Sequence, residues 1–175
     1  MLSPARAEGE YLDSLQQYND FSELRFGVLA HDVKCSFKKS YEPGVSFNGE
    51  YLFSAPQNDF FQMIFSPHPH VGVSINSGKG TSMAYTGFTW ELPLFTNWFV
   101  NVMVGGAVHN GETKKQSKHR KSYGSRFLFH TGLAVGYVFQ ERHTFSVMVD
   151  HASNARLCKP NPGVTDLGLR YGYRF

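Results

Sequence analysis

Near its end the chain reads "SVMVDHASNARLCKPNPG", and two of these residues, His151 and Ser153, have the types of a general base and a nucleophile. A neutral serine hydroxyl attacks poorly. A histidine within hydrogen-bond reach takes its proton and later returns it to the leaving alkoxide, so such a pair hydrolyses or transfers an acyl ester. On a strand, positions i and i+2 share a face and lie about 6.5–7 Å apart, close enough for the two side chains to meet. The spacing alone is common, and both residues equally suit ordinary polar positions at an interface. The company they keep makes them unusual. By parity they share a face with Phe145, Val147 and Val149, an apolar face where a soluble sheet has little use for an imidazole.

The elements that must present this pair are strands. In 175 residues, aromatics make up 15% and charged residues only 18%, and there are 17 glycines. This composition favours aromatic-rich strands and turns over helices. Alternation at period two predicts eight strands, over residues 22–33, 44–54, 69–76, 81–93, 97–109, 125–139, 143–153 and 165–175. A sustained helical period is absent apart from a short turn near "PQNDFFQMIF".

Several strands set large apolar residues against small or polar ones, as Phe127, Phe129, Leu133, Val135, Tyr137 and Phe139 stand against His130, Gly132, Ala134 and Gly136. The second face carries Arg25, Glu50, Glu91, His130, Asp150, Arg170 and Arg174, charges too costly for a dry core but able to pair in a polar lumen. No run approaches the roughly 18 apolar residues of a spanning helix, whereas membrane strands need only about 9–11 alternating ones. The connections "FTN" and "QER" are tight and 34–43, 110–124 and 154–164 are longer, although "NSGKG" is short and the segment near 55–68 long, and the last strand ends in aromatics at Tyr171, Tyr173 and Phe175. These features predict an all-β fold, an eight-stranded antiparallel transmembrane barrel of the outer membrane, closed because a bilayer tolerates no open sheet edge. A soluble, lipocalin-like barrel is rejected on the charged second face. Residues 1–10, with the small-x-small pattern Ala5-Arg6-Ala7, read as a signal-peptide remnant or disordered terminus, and 11–175 as one barrel domain. An even strand number places both ends in the periplasm, so His151 and Ser153 face the outer leaflet at the extracellular end of strand seven.

With these residues placed, a resemblance emerges. "DHASNA", then "NPG" and a final strand ending "YGYRF", together with "ELRFGVLAHDV", "NGEYLF", "PHPHVGVSIN" and "GGAVHNGE", are similar to segments of the lipid A 3-O-deacylase family, the PagL-type outer-membrane esterases. The resemblance covers most of the chain from about residue 22. It implies an eight-stranded barrel with an exterior site of histidine, serine and an acid, releasing an acyl chain, the 3-position one in that family, from lipid A without a cofactor. Carried over, His151 matches the base and Ser153 the nucleophile, while Asn154 with neighbouring amides matches the oxyanion position. The family's acid corresponds to Thr165, and the carboxylate stands one step on, at Asp166. Three arrangements are open: a bulge swings Asp166 outwards, Asp32 at the top of strand one assists, or the site has no acid. The first is expected, because bulges are common at barrel rims.

Cys35 and Cys158 fall in adjacent outer loops, where an oxidising exterior permits either a disulfide or two free thiols. The basic run 111–126 places Lys114, Lys115, Lys118, Arg120 and Lys121 where they could hold the phosphates of lipopolysaccharide head groups. It lacks the aromatic interleaving of a nucleic-acid site. His68, His70, His109 and His119 match no metal spacing. The expected partners are lipid A and outer-membrane lipids, with monomer and homodimer both open. The competing reading is a structural or adhesive barrel that keeps the scaffold without the chemistry.

Overall fold

A computed structural model describes residues 4–33, 42, 44–114 and 121–175. Eight antiparallel strands close into a barrel in sequence order, β1 pairing with β8. They are β1 (Glu23–His31), β2 (Gly44–Leu52), β3 (His68–Asn76), β4 (Met83–Phe95), β5 (Trp98–His109), β6 (Phe127–Phe139), β7 (His143–Ser153) and β8 (Val164–Arg174). Each lies within two or three residues of its predicted span. The predicted lumen residues Arg25, Glu50, Glu91, His130, Asp150, Arg170 and Arg174 are all buried.

The alternation holds along most of the wall and lapses near the register shift at Pro93–Phe95 in β4. Along β1 every second residue is buried and every other one exposed, because successive side chains on a strand point to opposite faces. Phe26, Val28, Phe47, Ile75, Val104, Leu133, Val147 and Leu169 face outwards. In water this would be a large exposed apolar surface; in a bilayer it is the lipid contact. At the end with the tight turns an aromatic girdle includes Trp98 packed on Tyr137 at 5.3 Å and Tyr173 beside Phe175. Among the described residues no helix is long and apolar enough to cross a membrane, and the strands do the crossing.

The lumen is held by ions. Arg25 contacts Glu23, Glu50 and Glu91 at 3.0–3.4 Å, Arg170 reaches Glu50 at 3.0 Å, and Arg174 reaches Glu91 at 2.6 Å. Each of these buried charges has an opposite neighbour, which low-dielectric surroundings require.

Two helices lie outside the wall pattern. The helix α2 (Asp59–Met63) matches the expected turn and is capped by Asn58, whose side chain accepts from the Phe61 amide. The helix α1 (Pro4–Tyr18) is not anticipated by the strand periodicity. It buries Leu15, and the Tyr18 hydroxyl donates to Glu91 at 3.0 Å, so α1 closes the tight-turn end of the lumen.

Candidate active site

At the opposite end, β7 delivers His151 and Ser153 to the lipid-facing wall, with Ala152 between them pointing inwards and buried. Both line an open cleft of about 440 Å³ together with Ala155, Arg156 and the turn 161–163. Ala155 and Arg156 take left-handed conformations, φ +52° and +66°, that bend the chain sharply after the strand and fold the loop over the cleft.

The cleft is fixed from β8. The register pairs His151 with Thr165, and the His151 Nδ1 lies 2.8 Å from the Thr165 Oγ1. Among the described residues this is the imidazole's hydrogen bond, which leaves Nε2 without one. No hydrogen bond joins His151 to Ser153; the two side chains share the cleft and a face. Gly163 presses on the ring. At φ +63°, it would place a Cβ 2.8 Å from the His151 Cε1, so only glycine fits both the backbone and the imidazole.

The expected outward swing of Asp166 is not what the strand does. Pairing runs without a break from Asp150 opposite Asp166 to His151 opposite Thr165, so no bulge shifts the parity. Asp166 is buried in the lumen, where it meets the His31 Nδ1 at 3.1 Å and accepts the Asp32 amide at 2.8 Å. These partners hold it in, and it cannot orient His151. Asp32, the other considered acid, also faces inwards: it accepts the Glu42 amide at 2.7 Å and binds the Lys121 Nζ at 2.5 Å.

Asn154 departs from its expected role as well. Its side-chain Nδ2 donates to the carbonyls of Tyr123 and Cys158 at 2.6 and 2.9 Å, and its amide donates to the Asn161 Oδ1 at 3.2 Å. It is buried and splices the loops together. Asn161, which sequence reasoning used only as part of "NPG", sits in the cleft with its Oδ1 committed to that amide, and its Nδ2 is left as the donor. The motif held the signal; the role needed the register.

Of the proposed head-group cations, Lys115, Lys118 and Arg120 lie outside the described residues, as does Cys35 of the considered disulfide. Cys158 and Lys114 are exposed. Lys121 is not a head-group contact. It is buried, pairs with Asp32 and donates to the Gly163 carbonyl at 2.8 Å, bracing the residue that packs on His151. Beside it Glu42 accepts from the Lys121 amide and from the Thr81 hydroxyl. Burial pushes the Glu42 carboxyl up, but hydrogen bonds from His31, Lys121 and Thr81 outweigh this and hold it at about 2. Burial and the nearby Glu42 charge push the Tyr123 phenol well up. Of the histidines weighed as metal ligands, His68 meets the Phe53 carbonyl, His70 the Thr89 hydroxyl and His109 the Ser125 carbonyl, and His119 lies outside the described residues.

A sequence profile of the family described as Lipid A 3-O-deacylase (PagL) matches residues 29–174. The chain belongs to this family. It is 26% identical over 115 residues to the Lipid A deacylase PagL of Bordetella bronchiseptica, an alignment covering 61% of this chain and 61% of that relative. Among solved structures, the outer membrane enzyme PagL superposes with a TM-score of 0.64 at 18% identity, over 86% of this chain and 98% of that one. The N-terminal β-barrel domain of Pseudomonas aeruginosa OprF gives 0.61 at 11% identity, over 90% and 98%. At such identities the two structures support the fold alone, an outer-membrane barrel.

Proposed function

We propose that this chain is an outer-membrane lipid A deacylase that hydrolyses an acyl ester, the 3-position chain by family description, at an exterior Ser153–His151 site. The observation that carries the reading is the placement of both residues in one cleft on the lipid-facing wall, at the loop end of the barrel. A soluble ester has no reason to be sought there. Lipid A does, because its ester bonds lie where head groups meet acyl chains.

In the reaction, the Ser153 Oγ attacks the ester carbonyl while the His151 Nε2 takes the hydroxyl proton. The tetrahedral oxyanion is met by donors at the cleft, which Asn161 lines with its Nδ2 as donor. The intermediate collapses, His151 gives its proton to the departing sugar alkoxide, and water then resolves the acyl-serine by the same exchange in reverse. Arg156, exposed at the cleft, suits an anionic head group.

Mass spectrometry of lipid A from cells with and without the protein tests this. A loss of one acyl chain that vanishes in Ser153→Ala supports the enzyme. Unchanged lipid A beside folded, membrane-inserted protein would favour the second reading, a non-catalytic barrel, which the inward position of Asp166 keeps open.

A further inference from the structure

We propose that Thr165 is the positioning residue of this site, a neutral hydroxyl holding the His151 imidazole where a carboxylate would otherwise stand. The inference rests on the Ser153–His151 reading and adds to it which group orients the base. Thr165 is the direct cross-strand partner of His151 and its Oγ1 lies 2.8 Å from Nδ1. Its own backbone is pinned, since the Thr165 carbonyl accepts the Val33 amide at 2.7 Å and ties the top of β8 to β1. A β-branched side chain has few χ1 states, so a pinned backbone presents the hydroxyl at a defined point. Behind the ring Gly163 closes the other side.

A hydroxyl differs from a carboxylate in one chemical respect. A carboxylate only accepts, so it forces the proton onto Nδ1 and leaves Nε2 as the base. A threonine both donates and accepts. It fixes where the ring points and permits the productive tautomer without enforcing it, and it brings no charge to balance the imidazolium. Among the described residues, the charged and titratable groups around the ring are Asp150 and His130 from the lumen side and Lys121 behind Gly163, with Arg156 across the cleft. None touches Nδ1. The site is therefore oriented by Thr165 and works without a triad charge.

Two measurements on detergent-folded protein test this. Turnover of lipid A should fall at least tenfold in Thr165→Val with little change in KM, return in Thr165→Ser, and rise at least tenfold in Thr165→Glu. The acid limb of the pH–rate profile should also move to higher pH in Thr165→Glu, because a carboxylate stabilises the imidazolium. Asp166→Asn should change turnover less than Thr165→Val does. Independently of activity, ¹⁵N resonances of the His151 ring should show the Nδ1–H tautomer losing population in Thr165→Val. If Thr165→Val keeps the wild-type rate, profile and ring resonances, the proposal fails. If instead Ser153→Ala matches wild type in lipid A turnover while the ring resonances respond to Thr165, the enzyme reading fails and the positioning role stands.

Discussion

At the scale of single residues, the His151 ring is fixed by close contacts from its neighbours on β8 and the turn before it. Gly163 is the plainest case: its φ of +63° disfavours a side chain, and the missing Cβ is the space occupied by the His151 ring. Gly163→Ala should cost roughly 1–2 kcal/mol for the left-handed backbone. It should also displace the imidazole, and since misplacing a catalytic group by about 1 Å can cost on the order of 100-fold in rate, activity should fall far more than stability. Thermal unfolding beside lipid A turnover separates the two; a proportionate loss of both would count against the packing argument. His151 and Ser153 were legible from the sequence because parity alone puts them on the apolar face. The same parity puts Asp166 inside, and the misreading was the expected bulge: the amide of Asp32 and the ring of His31 that hold it in the lumen are invisible to a one-strand pattern.

At the scale of elements, the strands were legible almost to the residue because each has to alternate between lipid and lumen, and a slip of one position would invert the whole face. The helix α1 was not, for its hold on the barrel comes from the buried Leu15 and a tyrosine hydroxyl on Glu91 rather than from an apolar stripe. The loop lysine Lys121 was misread for a related reason: a basic run looks solvated, yet this member is drawn into the rim by Asp32 and Gly163. Lys121→Met leaves the Asp32 carboxylate buried without its counter-charge, and breaking such a pair typically costs about 3–5 kcal/mol. The loops should then become protease-sensitive and activity should drop, with Asp32→Asn in the same chain recovering part of both. The rim also has a pH signature. The folded Glu42 carboxyl titrates at about 2 against an ordinary 4.5. Because the folded value is the lower one, its stabilisation is complete above pH 4.5 and is lost as pH falls towards 2. Loop proteolysis should rise across that window in the wild type and be flat there in Glu42→Gln.

At the scale of the whole molecule, the barrel is inside out: ions fill the interior and the apolar band faces outwards. An enzyme on that band meets its substrate by lateral diffusion within the leaflet, and its nucleophile needs no cavity through the fold. The same inversion sets where substitutions are costly. Leu133 lies mid-strand in β6, paired with Val102 and Val149 and exposed. In a soluble protein Leu133→Arg would be harmless, since an exposed leucine contributes little. In a bilayer it places a charge near the midplane, at about 2–4 kcal/mol, and the same change at Phe127, near the loop end, should cost only about 0–1 kcal/mol. Reversible denaturant unfolding from lipid vesicles measures both values. A large penalty at position 133 with a small one at 127 is what a membrane-spanning wall requires, and equal, negligible penalties would mean that this surface faces water.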